Sequence, residues 1–238
     1  PGTGGVVFCR VKRLSGFTGE VQLHVSGMPT GVTAFGGRIL AGAADGCIIF
    51  QAAADAPLGA ANVRIYGIAV DGDDDNVVEV DALAHQETYM PGGGRNHFPV
   101  KVHTVSVQAP SDIQSLTLST QEITLKPGES VRIDVEMVRA EGFDKNVSLD
   151  VLFKHLSSVW GDTLPKGIKL DDKNSKILIT GKETQGHITL VADDKIENVE
   201  RQQVSVMANI SLNFVMKATY SSLPLFITTV PKEVEPAK

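Results

Sequence analysis

Residues 13–23 read RLSGFTGEVQL, and residues 139–149 read RAEGFDKNVSL. Both stretches have an Arg, a Gly-Phe pair three residues later, and two apolar residues at alternate positions near the end. Glycine permits a tight turn, and alternating apolar residues are typical of a half-buried strand. The shared pattern therefore predicts the same turn and strand twice in one chain.

Four further patterns recur in the same order, which indicates an internal repeat. They are MPTGV (28–32) with LPKGI (164–168), GCIIFQA (46–52) with GHITLVA (186–192), VRI (63–65) with VSV (204–206), and FPV (98–100) with LPL (223–225). The repeat predicts two copies of one domain, at residues 1–109 and 110–238. A short polar link, Ala-Pro-Ser-Asp at residues 109–112, separates them.

The rest of the chain has the texture of an all-β protein. Short β-branched runs of alternating character are separated by Gly, Pro, Asn and Asp, and no segment sustains a helical period between caps. Regularly spaced short strands indicate sandwiches or barrels. We predict an all-β fold of two tandem immunoglobulin-like Greek-key β-sandwiches.

The first copy is shorter at its start than the second. In the second copy, strand-like residues 115–119 and 122–125 precede Pro127-Gly128, whereas the matching Pro1-Gly2 has nothing before it. The first sandwich is therefore predicted to lack its opening strand. Such a domain would expose a sheet edge at residues 6–13, where another chain could add a strand.

Strand parity predicts the surroundings of both cysteines. Val7, Cys9 and Val11 share one face of their strand, which predicts that Cys9 is buried. Cys47 lies on the face opposite that of Ile48, so we expect it to point outward. Cysteines on opposite faces cannot meet the geometry of a disulfide, and both are predicted to be free thiols.

Composition excludes several function classes. The chain has 238 residues with 22 Lys+Arg and 28 Asp+Glu, a net charge of −6, so no basic surplus is available for nucleic acid. The chain has no apolar run of about 18 residues, so the sequence predicts no transmembrane segment. The hydrophobic fraction of 42% is enough for packed cores, and aromatic residues, at 5%, are too few for an aromatic-lined sugar cleft.

Residues 13–69 resemble the immunoglobulin-like β-sandwich repeats of large exported bacterial proteins, which often occur beside pre-peptidase C-terminal-type domains. The motifs are GFTGEVQL (16–23), GMPTGV (27–32) and AAADAPLG (52–59). The resemblance implies an extracytoplasmic location, in the periplasm, on the cell surface or secreted. It also implies a spacer, adhesion, or carbohydrate- or protein-binding role, and no catalytic site.

Two features are candidate binding sites. Asp71, Asp73 and Asp75 place carboxylates at alternate positions, which could bind Ca²⁺, but Asn76 stands where an EF-hand needs Gly. The alternative is a solvated hairpin tip. Trp160, in a ten-residue insertion of the second copy, could be an exposed anchor for a partner or could cap the sandwich.

We find no nucleophile elbow, zinc motif or other catalytic constellation, and we expect neither an enzyme nor a bound cofactor. The sequence predicts a non-catalytic tandem spacer or interaction module of a larger exported bacterial protein. Its partners would be neighbouring domains of the same polypeptide, or a protein or glycan ligand. The alternative is a carbohydrate-binding module accessory to a secreted hydrolase, built on Trp160, Tyr89 and the Asp71–Asp75 turn.

Overall fold

A computed structural model describes residues 1–71, 76–89, 95–155, 158–213 and 216–231. Nearly all its regular structure is β-strand, joined mainly in antiparallel sheets. The prediction of an all-β sandwich fold is confirmed, while the division into two domains stays a prediction. We call residues 1–109 the first half and residues 110–238 the second half.

The first half begins with a strand that is central to the sheet it forms and ends with an edge strand. Its strands are β1 (Gly4–Arg10), β2 (Val21–Ser26), β3 (Val32–Gly36), β4 (Arg38–Ile39), β5 (Asp45–Ala52), β6 (Gly59–Asp71), β7 (Asn76–Asp81), β8 (Ala84–Tyr89), β9 (Arg95–Val100) and β10 (His103–Val107). Strands β1, β5 and β3 form one layer, and β10, β6, β2 and β4 form the other, with β7 also on β6.

The second half has thirteen described strands and one short 3₁₀ helix, Asp172–Asn174. The strands are β11 (Ile113–Leu118), β12 (Glu122–Leu125), β13 (Ser130–Arg139), β14 (Val147–Asp150), β15 (Phe153–His155), β16 (Ser158–Gly161), β17 (Ile168–Leu170), β18 (Leu178–Ile179), β19 (Gln185–Ala192), β20 (Val199–Val204), β21 (Met207–Ser211), β22 (Lys217–Ser221) and β23 (Leu225–Thr229).

Strand pairing in the two halves follows the same register. Val7 lies opposite Ile48 in the β1–β5 ladder, and Ile133 lies opposite Ile188 in the β13–β19 ladder. Likewise, Val21 lies opposite Ile39 in the β2–β4 ladder, and Val147 lies opposite Ile179 in the β14–β18 ladder. The first four sequence matches therefore fall on structurally equivalent positions.

The fifth match, FPV with LPL, is wrong as an alignment. His103 lies opposite Val63 in β6, and Leu225 lies opposite Val204 in β20, so His103 is the equivalent of Leu225. The FPV residues belong to β9, which pairs with β8 in a hairpin of the first half. This hairpin shifts the final strand relative to the expected position.

Besides β15 and β16, strands β11 and β12 of the second half have no counterpart in the described first half. Strand β11 pairs antiparallel with β13, and β12 pairs parallel with β23. In the first half, the outer side of β1 is paired only at Gly4, with Ser221 of β22, and β10 is an edge strand. Among the described residues, no first-half strand takes the place that β11 and β12 have in the second half.

The buried hydrophobic residues form two clusters, one in each half. The first-half cluster is small and centres on Leu23, Ile48 and Ile65, whereas the second-half cluster is several times larger and includes Ile133 and Ile188. Many first-half residues that pack on their cluster are only partly buried. In the second half Ile113, Leu116, Ile123 and Leu125 of β11 and β12 are part of the cluster, and no described first-half strand takes their place.

One sheet runs through both halves. Its order is β18-β14-β21-β22-β1-β5-β3, so second-half strands continue directly into the first layer of the first half. The outer face of this layer is in turn covered by β16 and β20 of the second half. We call this contact between the halves the junction.

Candidate functional site at the junction

The junction buries one strand of the first half on both faces. Residues Asp45 to Phe50 of β5 are all buried. Ile48 and Phe50 belong to the first-half core, whereas Asp45 and Cys47 contact groups of the second half. A strand with both faces covered is central to its protein, so β5 links the first core to the second half.

A charged pair lies at one end of the junction. Arg10 donates two hydrogen bonds to Asp45, Nε to Oδ1 at 2.7 Å and Nη2 to Oδ2 at 2.9 Å. Asp45 is only 5% exposed, and it also accepts the backbone N–H of Asp162 at 3.1 Å. The bidentate geometry satisfies a carboxylate that would otherwise be costly to bury.

The charges of this pair affect their surroundings. The hydrogen bond to Asp45 raises the pKa of Arg10, so the guanidinium stays charged. Burial raises the pKa of Asp162, and the negative charge of Asp45 raises it further. The second half therefore binds the Asp45 carboxylate through the backbone N–H of Asp162, and a hydrogen bond of this kind favours the ionised form of the carboxylate.

Two adjacent glutamines of β20 bind carbonyl groups of the first half. Gln203 is 4% exposed, and its Nε2 donates to the carbonyl oxygens of Phe35 and Cys47, both at 3.0 Å. Gln202 Nε2 donates to the carbonyl oxygen of Arg38 at 3.4 Å. These hydrogen bonds from two buried side chains fix the register between the halves, because a displaced glutamine would leave polar groups unpaired.

The hairpin of β15 and β16, which we call the insert hairpin, packs on β1. The ring of Phe153 stacks on that of Phe8, with centroids 5.5 Å apart. Gly161 lies so close to Phe8 that a Cβ at this position would overlap its ring and its Cβ. The contact thus requires glycine, and it joins the second-half insertion to the first half.

A polar and aromatic cluster joins the insert hairpin to the β8–β9 hairpin. Glu87 Oε2 lies 2.9 Å from His97 Nε2, and Glu87 Oε1 lies 3.1 Å from His155 Nε2. The ring of Trp160 packs against that of His97, with centroids 4.9 Å apart. One carboxylate therefore binds an imidazole from each half of the chain.

The predicted site residues are distributed as follows. Trp160 lies within the junction, half-buried against the first half of its own chain. Asp73 and Asp75 lie outside the described residues, and of Asp71 only the backbone, at the end of β6, is described. Within the described ranges, no group of three or more His, Cys, Asp or Glu side chains could hold a metal ion.

Both cysteines are free, as predicted, but their burial differs from expectation. Cys47 is buried rather than outward-facing, because the second half covers that face, and its pKa rises to about 12. Cys9 points toward the first core but is only partly buried, since no strand among the described residues covers it as β11 covers Val135; burial still raises its pKa to about 11. Neither thiol is an activated nucleophile.

The sequence patterns did not identify the residues that make the junction. Gln202 and Gln203 lie in a strand where polar residues predict a solvent face, and Asp45 lies just after Ala43-Ala44 and before Gly46, where a turn residue is expected, although the structure places it at the start of β5. The one available signal was in β5, where Cys47 and Ile49 flank the inward Ile48. An apolar outer face in the first half, against a polar one in the second, indicates a covered surface.

No protein-family model and no curated protein sequence matches the chain. Among solved structures, it is similar to a protein of unknown function from Porphyromonas gingivalis W83, at 11% identity and a TM-score of 0.29, over 95% of this chain and 90% of that one. It is also similar to BcpA, the major pilin subunit of Bacillus cereus, at 9% identity and a TM-score of 0.29, over 95% and 69%. A variant of BcpA gives 10% identity and a TM-score of 0.30, over the same shares.

Within the part of the chain that the structure describes, no helix is long and apolar enough to cross a membrane.

Proposed function

We propose that this chain is a non-catalytic module of a larger exported bacterial protein. In this proposal two immunoglobulin-like sandwiches, at residues 1–109 and 110–238, act as one rigid unit. The unit sets the distance and angle between neighbouring domains, or presents its surfaces to a protein partner. The proposed location is outside the cytoplasm.

The observation that supports a positioning role is the junction. Domains joined only by a linker move relative to each other unless their interface is large and well packed. Here β5 is buried from both sides, and the buried side chain of Gln203 donates two hydrogen bonds across the junction. These features oppose hinge motion between the halves. A spacer that holds its neighbours at a fixed angle requires such a rigid junction.

The proposal also accounts for the insert hairpin. The second half carries it, yet its Phe153 and Gly161 contact Phe8 of the first half. An insertion that packs on the neighbouring half serves the contact between them. Trp160 is part of the same contact, which gives it a packing role in place of an open sugar-binding platform.

Single-molecule energy transfer tests the positioning role. Dyes are attached through Asp55→Cys and Lys182→Cys, both exposed and in different halves. The raised pKa values of Cys9 and Cys47 keep the native thiols protonated, so they label much more slowly than the introduced ones. We expect one narrow distance distribution, and a broader one when Gly161→Ala is added. A broad distribution in the unaltered junction would contradict the proposal, as would hydrolytic activity of the purified chain in a substrate screen.

A further inference from the structure

We propose that the second half resists tension along the chain, and that the ladder between β12 and β23 is the part that resists it. The proposal rests on the proposed spacer function, because domains held at a fixed distance transmit force to the spacer between them. Tension enters the second half through residues 109–112 and leaves it after β23. Its effect depends on how the strands nearest these two points are paired.

Strand direction decides how the tension acts. The strands β12 and β23 are neighbours and run parallel, with Glu122 opposite Phe226 and Leu125 opposite Thr229. In a parallel pair, the start of one strand and the end of the other lie at opposite ends of the ladder. Tension between the start of β12 and the end of β23 therefore slides the two strands past each other along their length.

Sliding stretches all the hydrogen bonds of the ladder together. The N–H of Phe226 donates to the carbonyl oxygen of Gln121 at 2.8 Å, and that of Val230 donates to Leu125 at 3.0 Å, at the two ends of the ladder. These bonds run from strand to strand, across the direction of sliding, so they share the force and must break in one step. Strands that are pulled apart from one end lose the same bonds one after another, at a lower force.

Buried side chains oppose sliding as well. Ile123, Leu125 and Ile227 belong to the core of the second half, and the last two are 0% exposed. A slip by one residue would turn the apolar side chains of a strand from the core to the solvent face. The next register that keeps them inside is two residues away, about 7 Å along the strand. The ladder therefore cannot yield by small steps.

A second ladder lies on the same path. Strand β11 precedes β12 and pairs antiparallel with β13 in the other layer, where Leu116 lies opposite Met137. Ile113 and Leu116 of β11 are buried in the same core. The segment 113–125 is thus bonded in both layers, and tension from the linker must break both ladders before the second half unfolds.

An arginine joins three strands at the end of the ladder where β12 begins. The guanidinium of Arg201 in β20 lies over the ring of Phe226 in β23, 4.4 Å from its centroid. It also donates to Glu122 of β12. Because β20 is the strand beyond β23, this contact ties β12 to both of its neighbours in the sheet.

Optical tweezers compare two directions of pull on the full chain. Handles are attached through Gln121→Cys and Val230→Cys, at opposite ends of the ladder, or through Lys126→Cys and Val230→Cys, at the same end; all three side chains are exposed. At equal pulling speed we expect the first pair to unfold the second half at a several-fold higher force, since forced unfolding reports the barrier and only the first pair makes the strands slide. Equal forces, or a higher force with the second pair, would overturn the proposal.

A third pair of handles follows the natural path of the tension. Ser111→Cys is exposed and lies before β11, so pulling between it and Val230→Cys also loads the β11–β13 ladder. We expect a force at least as high as with Gln121→Cys, and a lower force would contradict the proposal. Urea denaturation of each labelled chain checks that equilibrium stability is equal, so that a difference in force comes from direction alone. These forces do not depend on the distance between the halves, which tests the proposed function separately.

Discussion

The two hydrogen bonds from Gln203 should make a measurable contribution to stability. Gln203→Leu keeps a side chain of similar size in a site that is 4% exposed, but it removes both donors, to Phe35 and to Cys47. A hydrogen bond of this kind contributes about 1 kcal/mol net, and an unpaired buried carbonyl adds a desolvation penalty. We therefore expect the free energy of unfolding to fall by about 2–3 kcal/mol.

Urea denaturation measures this loss. Trp160 is the only tryptophan, and it lies in the insert hairpin beside His97, so its fluorescence reports the junction. With a urea m-value in the usual range of about 1–3 kcal/mol/M, the midpoint should fall by about 1 M. Far-UV circular dichroism, recorded in parallel, reports the strands of both halves.

The repeat provides a matched control. Asn62 is the first-half equivalent of Gln203, and it is exposed at the same place in the strand register. Asn62→Leu should change stability by less than about 0.5 kcal/mol. If Gln203→Leu were as neutral as this control, the buried bonds would contribute nothing and the reasoning on the junction would be wrong.

Three further variants or reagents test separate features. Gly161→Ala should destabilise the chain by about 1–3 kcal/mol, because the added methyl overlaps Phe8 and cannot be relieved by rotating the ring; an unchanged melting temperature would refute the contact. Hydrogen bonds from Thr180 and Lys176 lower the pKa of Glu183 from 4.5 to about 2, so its stabilising effect is complete above pH 4.5 and is lost as the pH falls through about 2. Glu183→Gln should flatten the acid side of the stability curve, and an identical curve would exclude this role. The raised thiol pKa values predict that an aromatic disulfide reagent at pH 8 modifies neither cysteine until the chain is unfolded, whereas rapid reaction of the native protein would show that the thiols are accessible.

Local patterns were sufficient to predict the strands and their inward faces. In β13, Ile133, Val135 and Met137 are buried while the residues between them are exposed, as alternation requires. Side chains alternate strictly along a strand, so sequence parity is a direct measure of orientation. Because the repeat aligns the two halves, it predicts the same strand register in the first half, where Val7 lies opposite Ile48.

Strand parity predicts to which face of a sheet a side chain points, but not what packs against that face. Cys47 does point away from the first core, yet it is buried because β20 packs over it. Gln203 is more than 150 residues away from Cys47 in the sequence, and no periodic pattern relates the two. The junction depends on such contacts, so it could not be derived from short-range patterns.

Short motifs can also match by chance. FPV and LPL share a proline between apolar residues, but Pro99 lies in the β8–β9 hairpin while Pro224 precedes the final strand. Only the pairing partners of each strand distinguish the two environments. The hairpin is specific to the first half, and it supplies His97 to the cluster with Trp160.

Residual dipolar couplings in a weakly aligned sample test the central claim most directly. Each half is fitted separately to the amide couplings of its own strands, and the two alignment tensors are then compared. A fixed junction predicts one tensor for both halves, with equal magnitude and orientation. Two tensors of different magnitude would show that the halves reorient independently, and that result would contradict the account.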